Sequence, residues 1–110
     1  MNSTAVLSLN AADDAIVRGS LRAAAEGPFF PAWEFETLFG ISRETMRKVL
    51  DDWPQQTVSD MELECAVIGA MNMLVGYPHG CPDEVAEYVP AGPQAIEEAL
   101  ARLSQRSRTR

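Results

Sequence analysis

The most constraining feature of this sequence is residues 65–75, which read CAVIGAMNMLV and contain one strongly polar residue, Asn72. A helix on the surface of a globular protein carries one apolar stripe, whereas a helix that is apolar almost all round is buried on several sides. The stretch therefore predicts a central helix on which the rest of the chain packs, and an all-α domain.

Both ends of this central helix are marked by residues with known preferences. Thr57 or Ser59 can accept hydrogen bonds from the first free backbone N–H groups, and acidic residues follow in the first turn, where they stabilise the positive end of the helix dipole. Gly76 suits the position just after a helix, and Pro78 prevents its continuation. We expect the helix to span about residues 58–75.

Five other segments predict shorter helices, because each combines a capping residue or an early proline with apolar residues at helical spacing. They are residues 11–26, 31–39, 43–52, 82–89 and 93–103. The predicted fold is a single compact bundle of five or six short helices around the central one. Residues 1–104 form the expected domain, and residues 105–110 form a basic tail that is expected to be disordered.

Length and composition predict one ordinary soluble domain. A chain of 110 residues with 46% hydrophobic residues has enough apolar surface for a core without metal ions or disulfides. Residues 1–14 lack the basic start and apolar centre of a secretory signal, and no apolar run is long enough to cross a membrane. We therefore expect a cytoplasmic protein whose Cys65 and Cys81 are thiols.

The charge distribution predicts a basic partner rather than nucleic acid. The chain has 16 acidic and 9 basic residues, and four of the basic ones lie in the last nine positions. The first 101 residues therefore hold five basic and all sixteen acidic residues, a net charge of −11. Such a surface repels phosphate backbones and attracts cations, although acidic residues also serve solubility alone.

An aromatic cluster occupies residues 29–39, which contain five of the eight aromatic residues of the chain. Two interpretations remain open. The cluster is either part of the core, or a partly exposed patch in which Phe30 and Trp33 anchor a partner protein.

The loop GYPHGCP at residues 76–82 holds the single histidine and one of the two cysteines. His79 and Cys81, with Cys65, would make an incomplete metal site, because a structural zinc site needs four ligands. Cys81 as a nucleophile lacks a group to orient His79 as its base. The alternatives are a rigid turn held by His79, or a partner contact through Tyr77 and His79; a metal or thiol site at Tyr77, His79 and Cys81 remains a second alternative function.

Residues 40–50, GISRETMRKVL, resemble the turn and recognition helix of helix-turn-helix DNA-binding proteins. The resemblance covers residues 35–50 and implies that Arg43, Glu44, Arg47 and Lys48 face DNA. The family places a small residue four positions before the turn glycine, whereas this chain has Glu36 there. A continuous positive strip on this helix would favour DNA binding, and interrupting acids would oppose it.

A broader resemblance covers residues 29–80. The aromatic segment FFPAWEFETLFG, a capped helix ending in Trp-Pro, and an apolar helix leading into GYPHG are together similar to a group of small uncharacterised bacterial all-helical proteins. The resemblance implies a compact bacterial module and carries over no functional residues.

The functional expectation is a non-enzymatic protein without a cofactor or metal, because the sequence contains no recognisable catalytic set of residues. We expect a small acidic protein-interaction module that inhibits a basic partner, in the manner of an immunity protein or antitoxin. The candidate partner-binding residues are Phe30, Trp33, Tyr77 and His79. A DNA-binding regulator is the alternative, and a homodimer through the aromatic region is compatible with the sequence.

Overall fold

The computed structural model describes residues 9–53, 55–77, 79–80 and 82–108, with Pro82 and residues 104–108 described only as backbone. Within this part of the chain there are six α-helices and no strand, so the predicted all-α fold is confirmed. The helices are α1 (Ala11–Glu26), α2 (Phe35–Phe39), α3 (Arg43–Asp52), α4 (Asp60–Gly76), α5 (Val85–Tyr88) and α6 (Pro93–Arg108). Short 3₁₀ turns at Ala32–Glu34 and Pro82–Glu84 precede α2 and α5.

Helix α4 is the central helix that the apolar stretch predicts. It packs against α1, α2, α3 and α6, and one side of it is fully buried. The opposite side reaches solvent, where Met61 is 74% exposed and Asn72 is also exposed. The buried residues of α4 are Leu63, Ala66, Val67, Ala70, Met71 and Leu74.

The sequence predicts the start of α4 better than its end. Ser59 caps the helix, its hydroxyl accepting from the Glu62 N–H while the Glu62 carboxylate accepts from the Ser59 N–H. Gly76, however, is the last helical residue, so its predicted position just after the helix is wrong. The chain leaves the helix through Tyr77 in an extended conformation, which requires no glycine.

Other boundaries shift by a few residues. The segment predicted as one helix over residues 31–39 divides into a 3₁₀ turn and α2, because the Glu34 N–H bonds to the Pro31 carbonyl three residues back. Residues 82–89 divide similarly. Helix α6 passes the expected end at Leu103 and reaches Arg108, into the segment predicted to be disordered, because residues 104–108 contain no glycine or proline.

Small residues in the middle of α1 allow another element to approach closely. A Cβ placed on Gly19 would overlap the carbonyl oxygen of Tyr88, at the end of α5. The neighbouring Ser20 is buried and satisfies its hydroxyl by donating to the Ile16 carbonyl at 2.8 Å. Gly19 and Ser20 weaken the helix locally by propensity, but they permit this packing.

Polar side chains at the start of α1 form hydrogen bonds with residues of two later helices. Asp13 is 1% exposed and receives two hydrogen bonds from Arg102 of α6, at 3.1 Å from Nε and 2.6 Å from Nη2. Hydrogen bonding to Asp13, opposed by burial, raises the pKa of Arg102. The indole N–H of Trp53, at the end of α3, donates to Asp14 at 2.7 Å.

Candidate protein-interaction surface

Three of the four candidate partner-binding residues meet at one end of the bundle. The Phe30 ring centroid lies 5.5 Å from that of Tyr77 and 6.4 Å from that of His79. Phe29 adds an edge contact to His79 at 4.9 Å. Trp33 follows one turn later in the chain. We call Phe29, Phe30, Tyr77 and His79 the aromatic corner; it brings the residues that follow α1 against the residues that follow α4.

Exposure separates the two aromatic residues expected to anchor a partner. Phe30 is 4% exposed, so the expectation of a partly exposed Phe30 is wrong: Phe39 packs against its ring at 5.0 Å and fills the core beside it. Trp33 is 83% exposed, as expected for an anchor. Trp33 therefore presents a large apolar surface to solvent, three residues after Phe30 in the chain.

The polar groups of the corner are engaged locally. The Tyr77 hydroxyl donates to Glu34 at 3.1 Å, and a ring nitrogen of His79 lies 3.0 Å from the Leu74 carbonyl oxygen. Loss of solvent around the phenol, followed by the hydrogen bond to the Glu34 carboxylate, raises the pKa of Tyr77 above its ordinary value of 10.0. His79 thus holds the chain at the end of α4, as the turn interpretation expects.

The raised pKa of Tyr77 leads to a testable pH dependence. A phenol that binds its proton more tightly in the folded state stabilises the fold fully below pH 10, and this contribution is lost as the pH rises above 10. We expect the difference between the tyrosinate absorbance titrations of the wild type and Tyr77→Phe to have its midpoint above pH 10. Glu34→Gln keeps an acceptor but removes the charge, so it should lower that midpoint; a midpoint at or below pH 10 in the wild type would contradict the geometry.

Among the described residues, no arrangement of side chains supports the alternative of a metal or thiol site. Cys81 lies outside the described residues, and Cys65 is a partly buried free cysteine of α4. Among the side chains that are described, no group of three or more His, Cys, Asp or Glu residues is arranged to hold a metal ion.

Arg43, a candidate DNA-facing residue, instead makes contacts within the molecule. Its guanidinium donates to the carbonyl oxygens of Ala25 at 3.0 Å and Phe30 at 2.9 Å, and lies 4.5 Å from the centroid of the Phe35 ring. It therefore joins the end of α1, the following loop and α2. Arg43 is half-buried, and its guanidinium is engaged by these carbonyls instead of facing DNA as the helix-turn-helix resemblance implies.

The two other basic candidates, Arg47 and Lys48, lie beside acidic residues. Arg47 lies 3.9 Å from the Glu26 carboxylate, and Lys48 lies 3.3 Å from that of Asp52. Hydrogen bonds from Thr57 and then from Lys48 lower the pKa of Asp52. Glu44 and Asp51 are exposed on the same helix, and line a shallow surface cleft together with Arg47 and Lys48. Acidic residues thus interrupt the positive strip that recognition of DNA by this helix would need.

A groove of about 390 Å³ separates α2 from α3. Glu36, whose size and charge depart from the helix-turn-helix pattern, is exposed and lines this groove. Glu44 faces it from α3. The full lining consists of Ala32, Phe35, Glu36, Ser42, Arg43, Glu44 and Arg47.

Two structural roles, those of Arg43 and Asp13, are not evident in the sequence. Arg43 appears as an ordinary surface position of an amphipathic helix, and Asp13 as one of several acids in a first turn. Each finds its partner 13 to 89 residues away in the chain, and no local signal specifies such a partner.

None of the helices in the described residues combines the length and the apolar character needed to cross a membrane. Comparison with family models, with curated proteins and with solved structures found no match for this chain. The resemblance to small bacterial all-helical proteins therefore stays a prediction.

Proposed function

We propose that this protein is a non-enzymatic interaction module that binds and inhibits a basic protein partner, using Trp33 as its exposed anchor. The observation that carries the proposal is that most basic side chains have a partner within the molecule, whereas several acidic side chains do not. Five of the six basic side chains that the structure describes make hydrogen bonds or ion pairs within the molecule. They are Arg18, Arg43, Arg47, Lys48 and Arg102.

Several carboxylates, in contrast, face solvent without a partner among the described residues. They lie on α2, α3, α5 and α6, so the negative charge is spread over several helices. Acids in this state attract a cationic protein over a distance and speed its association. Exposed examples are Glu36, Glu44, Asp51, Glu87 and Glu97.

Trp33 gives this surface an anchor. A buried tryptophan removes roughly 150–250 Å² of surface from water, and tryptophan is among the residues that dominate binding energy in protein interfaces. Because 83% of Trp33 stays in water, the side chain adds little to the core, and its large apolar surface is available to a partner.

The proposal is tested by affinity capture from source-cell lysate with immobilised wild-type protein, compared with Trp33→Ala. We expect the wild type to retain one protein of high isoelectric point, and its retention to fall steeply between 50 and 300 mM salt, because exposed charges are screened over about 10 Å near 0.1 M. Trp33→Ala should reduce retention at least tenfold, as hot-spot truncation does.

Met61→Ala is the matched control. Met61 is the other large apolar side chain that the described structure leaves exposed, and it lies at the start of α4, far along that helix from Tyr77. Its truncation should leave capture unchanged. Capture that ignores salt, or equal losses from Trp33→Ala and Met61→Ala, would contradict the proposal.

DNA binding is less well supported than a basic partner. Arg43 is occupied by backbone carbonyls, and Arg47 and Lys48 lie beside carboxylates. A phosphate approaching α3 would also meet Glu44 and Asp51, whose charges oppose it.

A further inference from the structure

We infer that two copies of this chain pair through the solvent-facing side of α4. This inference is independent of the proposed function, because it involves neither Trp33 nor a basic partner. The residues on this side of α4 recur four and three positions apart, which is the spacing of the contact line between the helices of a coiled coil. We call them the α4 seam: Met61, Cys65, Ile68, Asn72 and Val75.

The α4 seam lies opposite the buried side of its helix. Met61 is 74% exposed and Asn72 is also exposed, whereas Cys65, Ile68 and Val75 are partly buried. The helix already packs against α1, α2, α3 and α6 of its own molecule. The seam is therefore the side of the central helix that the described part of the chain covers least.

The charge distribution favours a second copy at the seam. The charged residues of α4 all lie in its first five positions, and residues 65–76 carry no charge. Because the chain has a net charge of −7, two copies repel each other over much of their surface and approach most easily where acidic residues are absent. A basic partner gains no ion pair from an uncharged seam, whereas the same uncharged seam on a second copy matches it.

Asn72 makes the seam self-complementary. An amide both donates and accepts hydrogen bonds, so the Asn72 amides of two copies can pair across a twofold axis when the helices run parallel. In coiled coils a single asparagine in the contact line fixes the register and the number of helices, at a cost in stability. An exposed asparagine between Ile68 and Val75 fits this role.

The length of α4 gives enough area for a weak dimer. Its 17 residues extend over about 25 Å. Helices pack about 8–10 Å apart, so the side chains on both flanks also meet, and a strip about 20 Å wide would bury about 500 Å² per copy. The total of about 1,000 Å² lies at the lower limit for a specific interface, so we expect a reversible dimer.

The test is analytical ultracentrifugation of the full chain from about 5 to 500 µM, because self-association depends on concentration. We expect a monomer–dimer equilibrium that becomes several-fold tighter as salt rises from about 50 to 500 mM, because salt screens the repulsion between two acidic copies. Capture of a basic partner should respond to salt in the opposite direction, so failure of one proposal is distinguishable from failure of the other.

Two substitutions of Asn72 test the seam without disturbing the core, because the side chain is exposed. Asn72→Glu places two carboxylates against each other and should weaken the dimer at least about tenfold. Asn72→Leu removes the polar pair and should tighten association. Gln94→Glu is the matched control: it adds the same charge at an exposed position of α6 and should change the dimer less than about twofold.

Several results would overturn the inference. They are a monomer at every concentration and salt, equal losses from Asn72→Glu and Gln94→Glu, or a dimer that Trp33→Ala dissociates and Asn72→Glu does not, since the last result would place the contact at the aromatic region. Weaker association of Asn72→Leu would overturn the paired amides. Circular dichroism should show the same helix content for all variants.

Discussion

Alanine in place of Gly19 is expected to lower the free energy of unfolding by about 1–3 kcal/mol, the usual range for a side chain forced into packed space. Glycine to alanine inside a helix ordinarily stabilises by up to about 1 kcal/mol. Here the new Cβ would overlap the carbonyl oxygen of Tyr88, and a backbone atom cannot move aside without displacing α5 from α1. The sign of the effect is therefore reversed by packing.

Gly76→Ala is the matched control for this substitution. Gly76 is also a helical residue, the last of α4, but nothing lies within 4 Å of a Cβ placed there. It should stabilise the protein by about 0.5 kcal/mol, less than a mid-helix site because it is the last helical residue. Urea unfolding followed by far-ultraviolet circular dichroism measures both variants, and a stabilised Gly19→Ala would show that α1 and α5 do not approach as described.

The second large effect is expected from Arg102→Met, which should lower the free energy of unfolding clearly more than the loss of a solvent-exposed ion pair does, because it leaves the buried carboxylate of Asp13 without its partner. Asp13 is almost fully buried, and Arg102 supplies two hydrogen bonds to its carboxylate. Half of the Arg102 side chain is in contact with solvent, which places the cost below that of a fully buried pair.

Two variants check the origin of this loss. Asp13→Ala combined with Arg102→Met leaves no unpaired buried charge and should recover most of the lost stability. Arg18→Met breaks a solvent-exposed ion pair with Asp14 and should cost less than about 1 kcal/mol. If Arg102→Met were as mild as Arg18→Met in urea unfolding, the link between α1 and α6 would not stabilise the fold.

Local patterns are sufficient for the helices and for several of their ends. The bounds of α1 and α3 agree with prediction, because Asn10 and Ser42 cap them and apolar residues recur at helical spacing. Such signals act over three or four residues. Boundaries that depend on what the chain contacts next, such as the helix end expected just before Gly76, are predicted less well.

The candidate site could be predicted only in part. Aromatic composition identifies residues 29–39 as unusual, but burial separates Phe30 from Trp33, and no local rule does so, since both are large apolar residues in the same segment. Likewise, amphipathic spacing places Arg43 on a surface, yet carbonyls of Ala25 and Phe30 hold its guanidinium.

The sequence by itself determined the all-α class, the central position of α4 and the excess of negative charge, because composition and helical periodicity are properties of consecutive residues. Only the tertiary structure decided which charges remain available. It engages Arg43 and Arg102 with groups distant in the chain, leaves Glu36 and Glu44 across one groove, and exposes Trp33. These outcomes depend on distances between segments, which helix propensity and local charge do not specify.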